Sequence, residues 1–448
     1  MKKDTKNFIA KILVLCLLVG MIPSFALLKA KAVSDDPYKT GPDTATPAEV
    51  KSEAKTENGT AKAEVTESNM AAAIANALAN AEAESVSEEK KPAVEVKVEV
   101  ATDATNLEVS LPADSLKDLA KEEGALAVTS DIASIELDSA ALDALVGQAT
   151  GSTITLDVAQ TKTEDMSATQ TTALAKAEDT PAVYNLSLLS DGNAISEFKQ
   201  QDGTKGQLTI SLPYTLPTGK TNNDVRVYYL NDKGVFERHR DASLGTDGKV
   251  KFSTTHLSTY VITTSQMIQE FKDVVDTSWY NIEYVDWSAA NGIITGYGQA
   301  DIFAPTTQIK RSEFVTILYR LAGEPTVPAN AANPFTDVAK GDWFYNAALW
   351  ASGKGIVTGY GNSTTFAPDE PCTRAEIVTF LWRYYGNQTV SGSNSFVDLT
   401  QDWYKPAVNW AVKNGITNGT DTAGTHFSPD GGCQRIQAVT FLYRAEED

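Results

Sequence analysis

The sequence predicts a multidomain chain, in which a β-rich region is followed by a region of three helical repeats. Apolar and polar residues alternate through much of residues 93–265, which is the two-residue period of half-buried strands. From residue 271 onward one series of motifs recurs three times, which indicates a repeat architecture. Residues 33–92 contain few aromatic residues, and this composition predicts a disordered linker before the strands.

Residues 1–32 have the features of a secretory signal peptide. Several lysines precede an apolar stretch at residues 12–28, and Ala30-Lys31-Ala32 supplies the small residues of a cleavage site. No later stretch has the ~20 apolar residues that a membrane span requires. We therefore expect an exported protein without a membrane span.

The charge of the chain argues against anionic partners. Without residues 1–32 the chain keeps 32 of its 38 basic and 57 of its 58 acidic residues, a formal net charge of −25. Such a surface repels nucleic acid and anionic membranes, so we expect neither as a partner.

Two cysteines lie after the predicted signal peptide. Cys372 and Cys433 occupy equivalent places in the second and third repeats, where the first repeat has Ile309. This equivalence favours a small buried apolar contact over a disulfide, and two isolated thiols do not make a zinc site. We expect no metal and no cofactor.

The region before the repeats is predicted to contain a linker and β-rich modules. Residues 33–92 have too little apolar area to offset the entropy of ordering, and the Ala-rich stretch 70–84 is expected to be a transient helix. Residues 93–180 are predicted to be a β-rich module with short helices at 115–120 and 139–146. Residues 181–265 are predicted to be an antiparallel β module. Short strands separated by turn residues suggest one or two antiparallel, sandwich-like units.

The β-rich region shows no pattern typical of an enzyme. The histidines of the chain lack metal-ligand spacing, and no Gly-x-Ser-x-Gly motif or phosphate-binding loop occurs. We therefore predict that the protein is not an enzyme. A pair of glycosidase carboxylates stays open as an alternative, because acidic residues are abundant.

The repeats span residues 271–323, 335–386 and 396–445. Each has a Phe-x-Asp motif, two tryptophans, a turn with glycine, a Phe-x-Pro motif and a helix that ends in an aromatic residue followed by arginine. In the second repeat this helix begins with Thr373-Arg374-Ala375-Glu376, in which Thr and Glu form a capping box. An arginine here faces the positive end of the helix dipole. Its recurrence predicts anion binding with help from helix amides, and a structural salt bridge is the alternative. The arginines are Arg311, Arg374 and Arg435.

This series of motifs resembles three tandem copies of the S-layer homology domain. The resemblance implies an all-helical, pseudo-threefold assembly with grooves between neighbouring repeats. It also implies the non-covalent attachment of exported proteins to secondary cell-wall polymers, typically through pyruvylated amino sugars. Such a ligand offers a carboxylate and a sugar face, which suits arginine with aromatic and backbone contacts.

Further candidate site residues follow from the repeats. The second tryptophan of each repeat is expected in the core, whereas the first is a candidate for stacking on a sugar or for the core. A turn that exposes amides beside the arginine could hold a carboxylate. We expect the groove that uses Arg374 to bind most reliably, and the groove that uses turn residues of the third repeat to bind least reliably. The candidates are Trp279, Trp343, Trp403, Gly296, Gly359 and Gly419.

The sequence therefore predicts a secreted, non-catalytic protein of a Gram-positive cell surface. Its expected partner is an anionic, pyruvylated secondary cell-wall polysaccharide, with peptidoglycan as the other wall component to consider. The partner of the β-rich region is unknown. Three alternatives stay open: a polymer- or partner-binding β module displayed by the anchor, a wall-active hydrolase, and a protein that forms an S-layer lattice.

Overall fold

The structure is a computed structural model that describes residues 43–85, 89–101, 103–195, 198, 204–275, 281–392 and 394–446. The predicted signal peptide, residues 33–42 of the predicted linker and Trp279 lie outside the described residues.

The described residues before position 265 form two β-sheets and four helices. The strands are β1 (Ala48–Glu53), β2 (Lys55–Glu57), β3 (Thr60–Glu64), β4 (Ala93–Glu99), β5 (Asn106–Pro112), β6 (Ala125–Thr129), β7 (Ser134–Leu137), β8 (Thr153–Gln160), β9 (Ala182–Ser190), β10 (Asn193–Ile195), β11 (Leu208–Pro213), β12 (Arg226–Leu230), β13 (Phe236–His239), β14 (Ser243–Leu244), β15 (Lys249–Thr254) and β16 (Thr259–Thr263). The helices are α1 (Glu67–Glu84), α2 (Ala113–Lys121), α3 (Ser139–Gln148) and α4 (Ala168–Leu174). We call this part of the chain the β unit.

The two sheets of the β unit share one hydrophobic core. The first sheet has the strand order β1-β4-β6-β7-β11-β15-β14, and the second has the order β13-β12-β16-β9-β8-β5-β3-β2, with β10 paired to β9. Buried side chains of both sheets, such as Val96 and Leu156, belong to one cluster. The predicted β-rich region and its two short helices, α2 and α3, are confirmed. The sandwich geometry stays a prediction.

The predicted disordered linker is wrong for the residues that the structure describes. β1 pairs with β4, β3 pairs with β5, and α1 buries Met70 and Ile74 against the sheets. Composition misled here because Ala-rich strands bury little area by themselves. They are ordered by backbone hydrogen bonds to strands that lie far along the chain, so tertiary context overrides local propensity.

The division into two modules at residue 180 is also corrected. β8 pairs with β9 along Leu156↔Leu188, and β7 pairs with β11 along Ile135↔Ile210, so strands from both predicted modules share both sheets. The pairs β1–β4, β3–β5 and β4–β6 are parallel rather than antiparallel. Each of these parallel pairs is connected through a segment that contains α1 or α2, because parallel neighbours require a crossover.

The described residues after position 281 form two helices in each repeat. These are α5 (Ile282–Ala290) and α6 (Arg311–Leu321), α7 (Tyr345–Gly353) and α8 (Arg374–Tyr384), and α9 (Lys405–Lys413) and α10 (Arg435–Glu446). Backbone hydrogen bonds connect the repeats in a closed cycle. Ile309 donates to Cys433 (2.9 Å), Cys433 donates to Cys372 (2.8 Å), and Cys372 donates to Ile309 (2.8 Å). Both cysteines are buried and free, as expected.

The β unit contacts the first repeat through an ion pair whose carboxylate is buried. Arg240 at the end of β13 binds Asp286 on α5 with two hydrogen bonds, Nε to Oδ2 at 2.5 Å and Nη2 to Oδ1 at 2.7 Å. Asp286 is buried, and the equivalent positions of the other repeats have Leu349 and Asn409. The first repeat therefore carries a side chain that fits the β unit specifically.

Candidate functional site

In each repeat the aspartate of the Phe-x-Asp motif accepts hydrogen bonds from the backbone of the Phe-x-Pro motif. Asp337 accepts hydrogen bonds from the amides of Phe366 (2.7 Å) and Ala367 (2.8 Å), and Ala367 has the positive φ of 58° that is rare outside glycine. Asp273 and Asp398 hold the equivalent turns of the first and third repeats. This bidentate contact fixes the turn and aims the phenylalanine carbonyl at the neighbouring repeat.

Each candidate arginine reaches the phenylalanine of that turn in another repeat. Nε of Arg311 donates to Phe366 O (2.9 Å), Nε of Arg374 to Phe427 O (2.8 Å) and Nε of Arg435 to Phe303 O (2.8 Å). The guanidinium groups also lie 4.9–5.4 Å from the ring centres of these phenylalanines. The three arginines are only 3%, 4% and 6% exposed, so each one lies in an interface between repeats. We name these the Arg311, Arg374 and Arg435 interfaces.

The helix amides beside these arginines are occupied. The amide of Arg311 donates to Glu370 O (3.0 Å) and that of Ser312 to Pro368 O (3.1 Å). Arg374 and Arg435 donate their amides equivalently, to Gly431 O and Thr307 O. The expected help of these amides in anion binding is therefore wrong, because carbonyl groups of the adjacent repeat already satisfy them.

Two of the three arginines have a carboxylate partner in the adjacent repeat. Glu376 accepts from its capping amide, Thr373, through Oε2 (2.9 Å) and from Arg311 Nη1 through Oε1 (2.7 Å). Oε2 of Glu313, which accepts from the capping amide of Lys310 (3.2 Å), also lies at an ion-pair distance of 3.6 Å from Arg435 Nη1. The salt bridge that the sequence left as an alternative is therefore present at these two interfaces.

The Arg374 interface lacks this carboxylate. Gln437 stands at the equivalent place, and its Oε1 accepts from the amide of Gln434 (3.0 Å). Within the described part of the chain, Arg374 has no ion-pair partner, and its buried Nη2 has no hydrogen-bond partner. Burial lowers the pKa of Arg374, against weaker opposing effects of Cys433 and Asp398.

A cavity of about 260 Å³ opens at the Arg435 interface. It brings together three candidate site residues from three repeats, Gly296, Trp343 and Arg435. Trp343 is 66% exposed, so its indole face is available for stacking. The rest of the lining is Ile294, Thr295, Tyr297, Gly298, Glu313, Thr316, Ile317 and Arg320.

The other candidate residues have different surroundings. Trp403 is 46% exposed, and its Nε1 donates to Gln401 (2.9 Å). A Cβ atom at Gly359 would lie 1.4 Å from Ser363 O, so the turn itself requires glycine. A Cβ at Gly419 would lie 2.6 Å from His426 O. The amide after each candidate glycine donates within its own turn, so these amides do not point at a ligand.

The second tryptophans pack as predicted in the two repeats where they are buried. Trp350 and Trp410 lie in the hydrophobic core of the repeats, and Trp287 packs against it. The first tryptophans that the structure describes, Trp343 and Trp403, are exposed and therefore do not belong to this core.

The cavity also contains an arginine that the sequence analysis did not single out. Arg320 lines the cavity, and its Nη1 donates to Ile293 O (3.4 Å). Arg383 and Arg444 donate in the same way to Ile356 O and Ile416 O. The signal was present, because each repeat ends with an aromatic residue followed by arginine. The cavity at the Arg435 interface thus contains two arginines, Arg320 and Arg435.

The sequence analysis expected Arg374 and the turn of the third repeat to belong to different grooves, with the Arg374 groove binding the ligand most reliably and the other groove least reliably. The structure joins them, because Arg374 binds Phe427 O and lies over the rings of Phe427 and Phe441 of the third repeat. The arginine expected to bind best and the turn expected to bind worst therefore belong to one interface, and the ranking has to be replaced.

Comparison with protein families identifies the repeats. The S-layer homology domain matches residues 270–315, 334–378 and 395–439. The chain contains three S-layer homology domains in tandem, as the motifs predicted, and it is a protein of the cell surface and cell wall.

Curated relatives include surface proteins and proteins named as enzymes. The surface layer protein of Brevibacillus choshinensis is 37% identical over 99 residues, which are 22% of this chain and 9% of that protein. Cell surface glycoprotein 1 of Acetivibrio thermocellus is 31% identical over 157 residues, 32% of this chain and 7% of that protein. The amylopullulanase of Thermoanaerobacterium thermosulfurigenes is 28% identical over 253 residues, 54% of this chain and 13% of that protein. The chain thus spans a small part of the length of these relatives.

Two other kinds of feature are absent from the residues that the structure describes. None of the described helices is both long and apolar enough to cross a membrane. The same residues contain no group of three or more His, Cys, Asp or Glu side chains placed to hold a metal ion.

Proposed function

We propose that the three repeats anchor this protein non-covalently to an anionic secondary polysaccharide of the cell wall. The observation that supports the proposal most directly is the cavity at the Arg435 interface. An exposed indole, two arginines and a glycine turn converge there from three repeats. This combination suits a sugar with a carboxylate, because the indole can stack on the sugar face and the arginines can bind the anion.

The ligand that we propose is pyruvylated, because a pyruvyl ketal places a carboxylate directly on a sugar ring. Such a group is small enough for a cavity of about 260 Å³. Peptidoglycan is the competing wall ligand, and it would engage the same grooves without the requirement for a secondary polymer.

Co-sedimentation of the exported chain with purified wall sacculi tests this proposal. The sacculi are used before and after hydrofluoric acid extraction, which removes the secondary polymer. We expect binding that the extraction abolishes. Binding that survives extraction would indicate peptidoglycan as the ligand, and absence of binding to intact sacculi would refute the anchor.

Replacement of Trp343 tests whether the polymer binds in the cavity at the Arg435 interface. Trp343→Ala should weaken binding several-fold, and avidity across the grooves limits the loss. Val397→Ala is a matched control, because Val397 is exposed and does not line the cavity. Equal effects of the two substitutions would contradict the assignment of the cavity.

We further propose that the β unit is not catalytic and that the anchor displays it at the wall. The names of some relatives, such as amylopullulanase, make hydrolysis the alternative to test. Release of reducing ends from purified wall by the exported chain would overturn the proposal. Ordered sheets of the purified protein in electron micrographs would favour the remaining alternative, an S-layer lattice.

A further inference from the structure

The strands at the ends of the two sheets of the β unit differ in length and in covering. β13, at one end of the second sheet, packs against α5, and β2 and β14 are only three and two residues long. β1 has six residues and ends the first sheet. We call the side of β1 that faces away from β4 the β1 edge. An end strand of this length can pair with a further strand, because its outer backbone groups are unpaired.

The pairing of β1 with β4 shows which backbone groups face the β1 edge. The amide of Ala54 donates to Glu99 O of β4 at 3.0 Å. The hydrogen-bonding groups of successive residues in a strand point to opposite sides, so those of Glu49, Lys51 and Glu53 face away from β4. Within the described part of the chain, the amides of these three residues have no hydrogen-bond partner.

The chain covers this side of the backbone just before β1 begins. The N–H of Thr46 donates to Glu84 Oε2 (3.0 Å), and Thr46 O accepts from Asn80 Nδ2 (3.0 Å). Both partners lie on α1, whose last turn thus supplies the contacts that a neighbouring strand would make. This covering stops at Thr46 and leaves the β1 edge open along the strand itself.

The side chains of β1 that face solvent alternate in charge. Glu49, Lys51 and Glu53 are exposed, whereas the residues between them face the core. Glu49 forms an ion pair with Lys97 of β4. Among the described residues, Lys51 and Glu53 have no ion-pair partner. Their charges are therefore available to the side chains of an added strand.

A second copy of β1 supplies the complementary charges. In an antiparallel pair, side chains directly opposite each other attract when their charges differ and repel when they are alike. If two copies pair about Ser52, Lys51 of each copy lies opposite Glu53 of the other. If they pair about Lys51, this lysine lies opposite itself and Glu49 lies opposite Glu53. The charges therefore favour the register about Ser52 over its neighbour.

A third register, about Val50, is less favourable for a different reason. It places Lys51 opposite Glu49, whose carboxylate already binds Lys97. The register about Ser52 instead joins two charges that have no partner within the chain. It also brings the outward N–H and C=O groups of Lys51 and Glu53 opposite those of the second copy, as an antiparallel ladder requires.

We propose that the β1 edge is the contact of a two-fold symmetric homodimer, in which antiparallel β1 strands join the first sheets of two copies about Ser52. Such a contact uses the same surface on both copies and closes on itself, so it produces a dimer and not a lattice. Two short strands bury little area, and the dimer is therefore weak in solution. On the wall, if the proposed anchor function holds, two anchors on one dimer increase retention through avidity.

Charge reversal tests the partner and the register. The mass of the exported chain is followed by analytical ultracentrifugation over a range of protein concentrations. Lys51→Glu should weaken the dimer about tenfold, because it places two glutamates opposite each other twice in the dimer. Glu53→Lys should have the same effect for the opposite reason. The double variant restores the alternation of charge, and its affinity should return to within about twofold of the unaltered chain.

A cysteine at the two-fold axis provides a direct test of the contact. In the proposed register the Cα atoms of the two Ser52 residues are ~4.5 Å apart, which lies in the range for a disulfide. Ser52→Cys should therefore give a disulfide-linked dimer under a mild oxidant. Ser68→Cys is the matched control, because Ser68 is exposed on α1. The unaltered chain should not be linked, since Cys372 and Cys433 are buried.

Each outcome decides the proposal without any measurement of wall binding. If the unaltered chain stays monomeric up to about 1 mM, the dimer is refuted. If a dimer forms but the double variant does not recover it, or if Ser52→Cys is linked no faster than Ser68→Cys, the copies meet at another surface and the proposal is also refuted. A dimer that charge reversal weakens and the double variant restores, together with selective linkage at Ser52, supports it.

Discussion

The Arg311 and Arg374 interfaces are built from the same parts, but only the first is neutralised from within. Arg311 donates to Phe366 O (2.9 Å), to Glu376 (2.7 Å) and to Thr358 O (3.5 Å). Among the residues that the structure describes, the side chain of Arg374 donates only to Phe427 O (2.8 Å). The exchange of one glutamate for glutamine accounts for the missing ion pair.

This comparison shows how a repeat can serve structure and binding with the same residue. A buried arginine with a carboxylate partner holds two repeats together, and its loss leaves the other charge buried without a partner. A buried arginine without one is less favourable in the free protein, so it gains more from an anionic ligand. Copies of one motif can therefore divide the two tasks between them.

The largest expected effect is the difference in the free energy of unfolding between Arg311→Ala and Arg374→Ala. Arg311→Ala should reduce the free energy of unfolding by about 3–5 kcal/mol, because Glu376, whose side chain is 13% exposed, would stay largely buried without its partner. Arg374→Ala should cost about 1–2 kcal/mol, since the main loss is the hydrogen bond to Phe427 O and local packing. Urea unfolding followed by tryptophan fluorescence measures both. Equal losses would remove the distinction between a paired and an unpaired arginine.

The substitution Glu376→Gln should give the Arg311 interface the same unpaired arginine as the Arg374 interface. Glu376→Gln should reduce the free energy of unfolding by about 2–3 kcal/mol, because it breaks a buried charged hydrogen bond while the capping contact to Thr373 is kept. Glu370→Gln is the control: this residue is exposed in the same repeat, and its loss should stay within about 0.5 kcal/mol. If both variants unfold alike, the ion pair with Arg311 contributes little.

The sequence predicted the parts of the repeats that local physics specifies. The capping box at Thr373 and Glu376, the buried helical faces and the recurrence of the arginine were all readable from single segments. The burial of Arg311 was not, because its carbonyl partner lies 55 residues away along the chain. The role of Asp337 was equally hidden, since it stabilises a positive φ at Ala367, a residue type that gives no turn signal.

In the β unit, too, the sequence identified only those strands whose own residues indicate burial. The alternation of Val94, Val96 and Val98 identified β4, because its residues are large enough to indicate burial by themselves. The neighbouring β1 and β3 bury small side chains such as Ala48 and Ala63, and only their pairing with β4 and β5 shows that they are strands. Ordering that depends on a distant strand is invisible to composition.

Acid should destabilise the β unit through His239. Burial lowers the pKa of His239 to about 4 from the model-compound value of 6.5, and its Nδ1 contacts Ser253 O (2.9 Å). Neutral His239 is therefore favoured in the folded state. Its contribution is complete above pH 6.5 and is lost as the pH falls from 6.5 toward 4, by on the order of 2 kcal/mol.

Burial raises the pKa of Glu237 and Glu283, which gives the opposite slope in the acidic range. The comparison of His239→Gln with the unaltered chain separates the two effects. The variant should lose less stability between pH 6.5 and 4 in urea titrations. Identical pH profiles of the variant and the unaltered chain would show that His239 is not the acid-sensitive group. The stabilities of the arginine variants are therefore compared at pH 7.5, where His239 is neutral in both the folded and the unfolded state.

The smallest expected effect concerns the ring that covers Arg311 and is absent at Arg374. The Tyr360 ring centre lies 5.1 Å from the Arg311 guanidinium, and the third repeat has Thr420 instead. Tyr360→Thr should therefore reduce the free energy of unfolding by about 0.5–1 kcal/mol, the usual size of a partly exposed cation–π contact. The reverse change, Thr420→Tyr, should add a ring over Arg374 and weaken binding to wall sacculi by covering the donors. If Thr420→Tyr binds as well as the unaltered chain, the difference between the interfaces depends on Gln437 alone and the open side of Arg374 has no part in it.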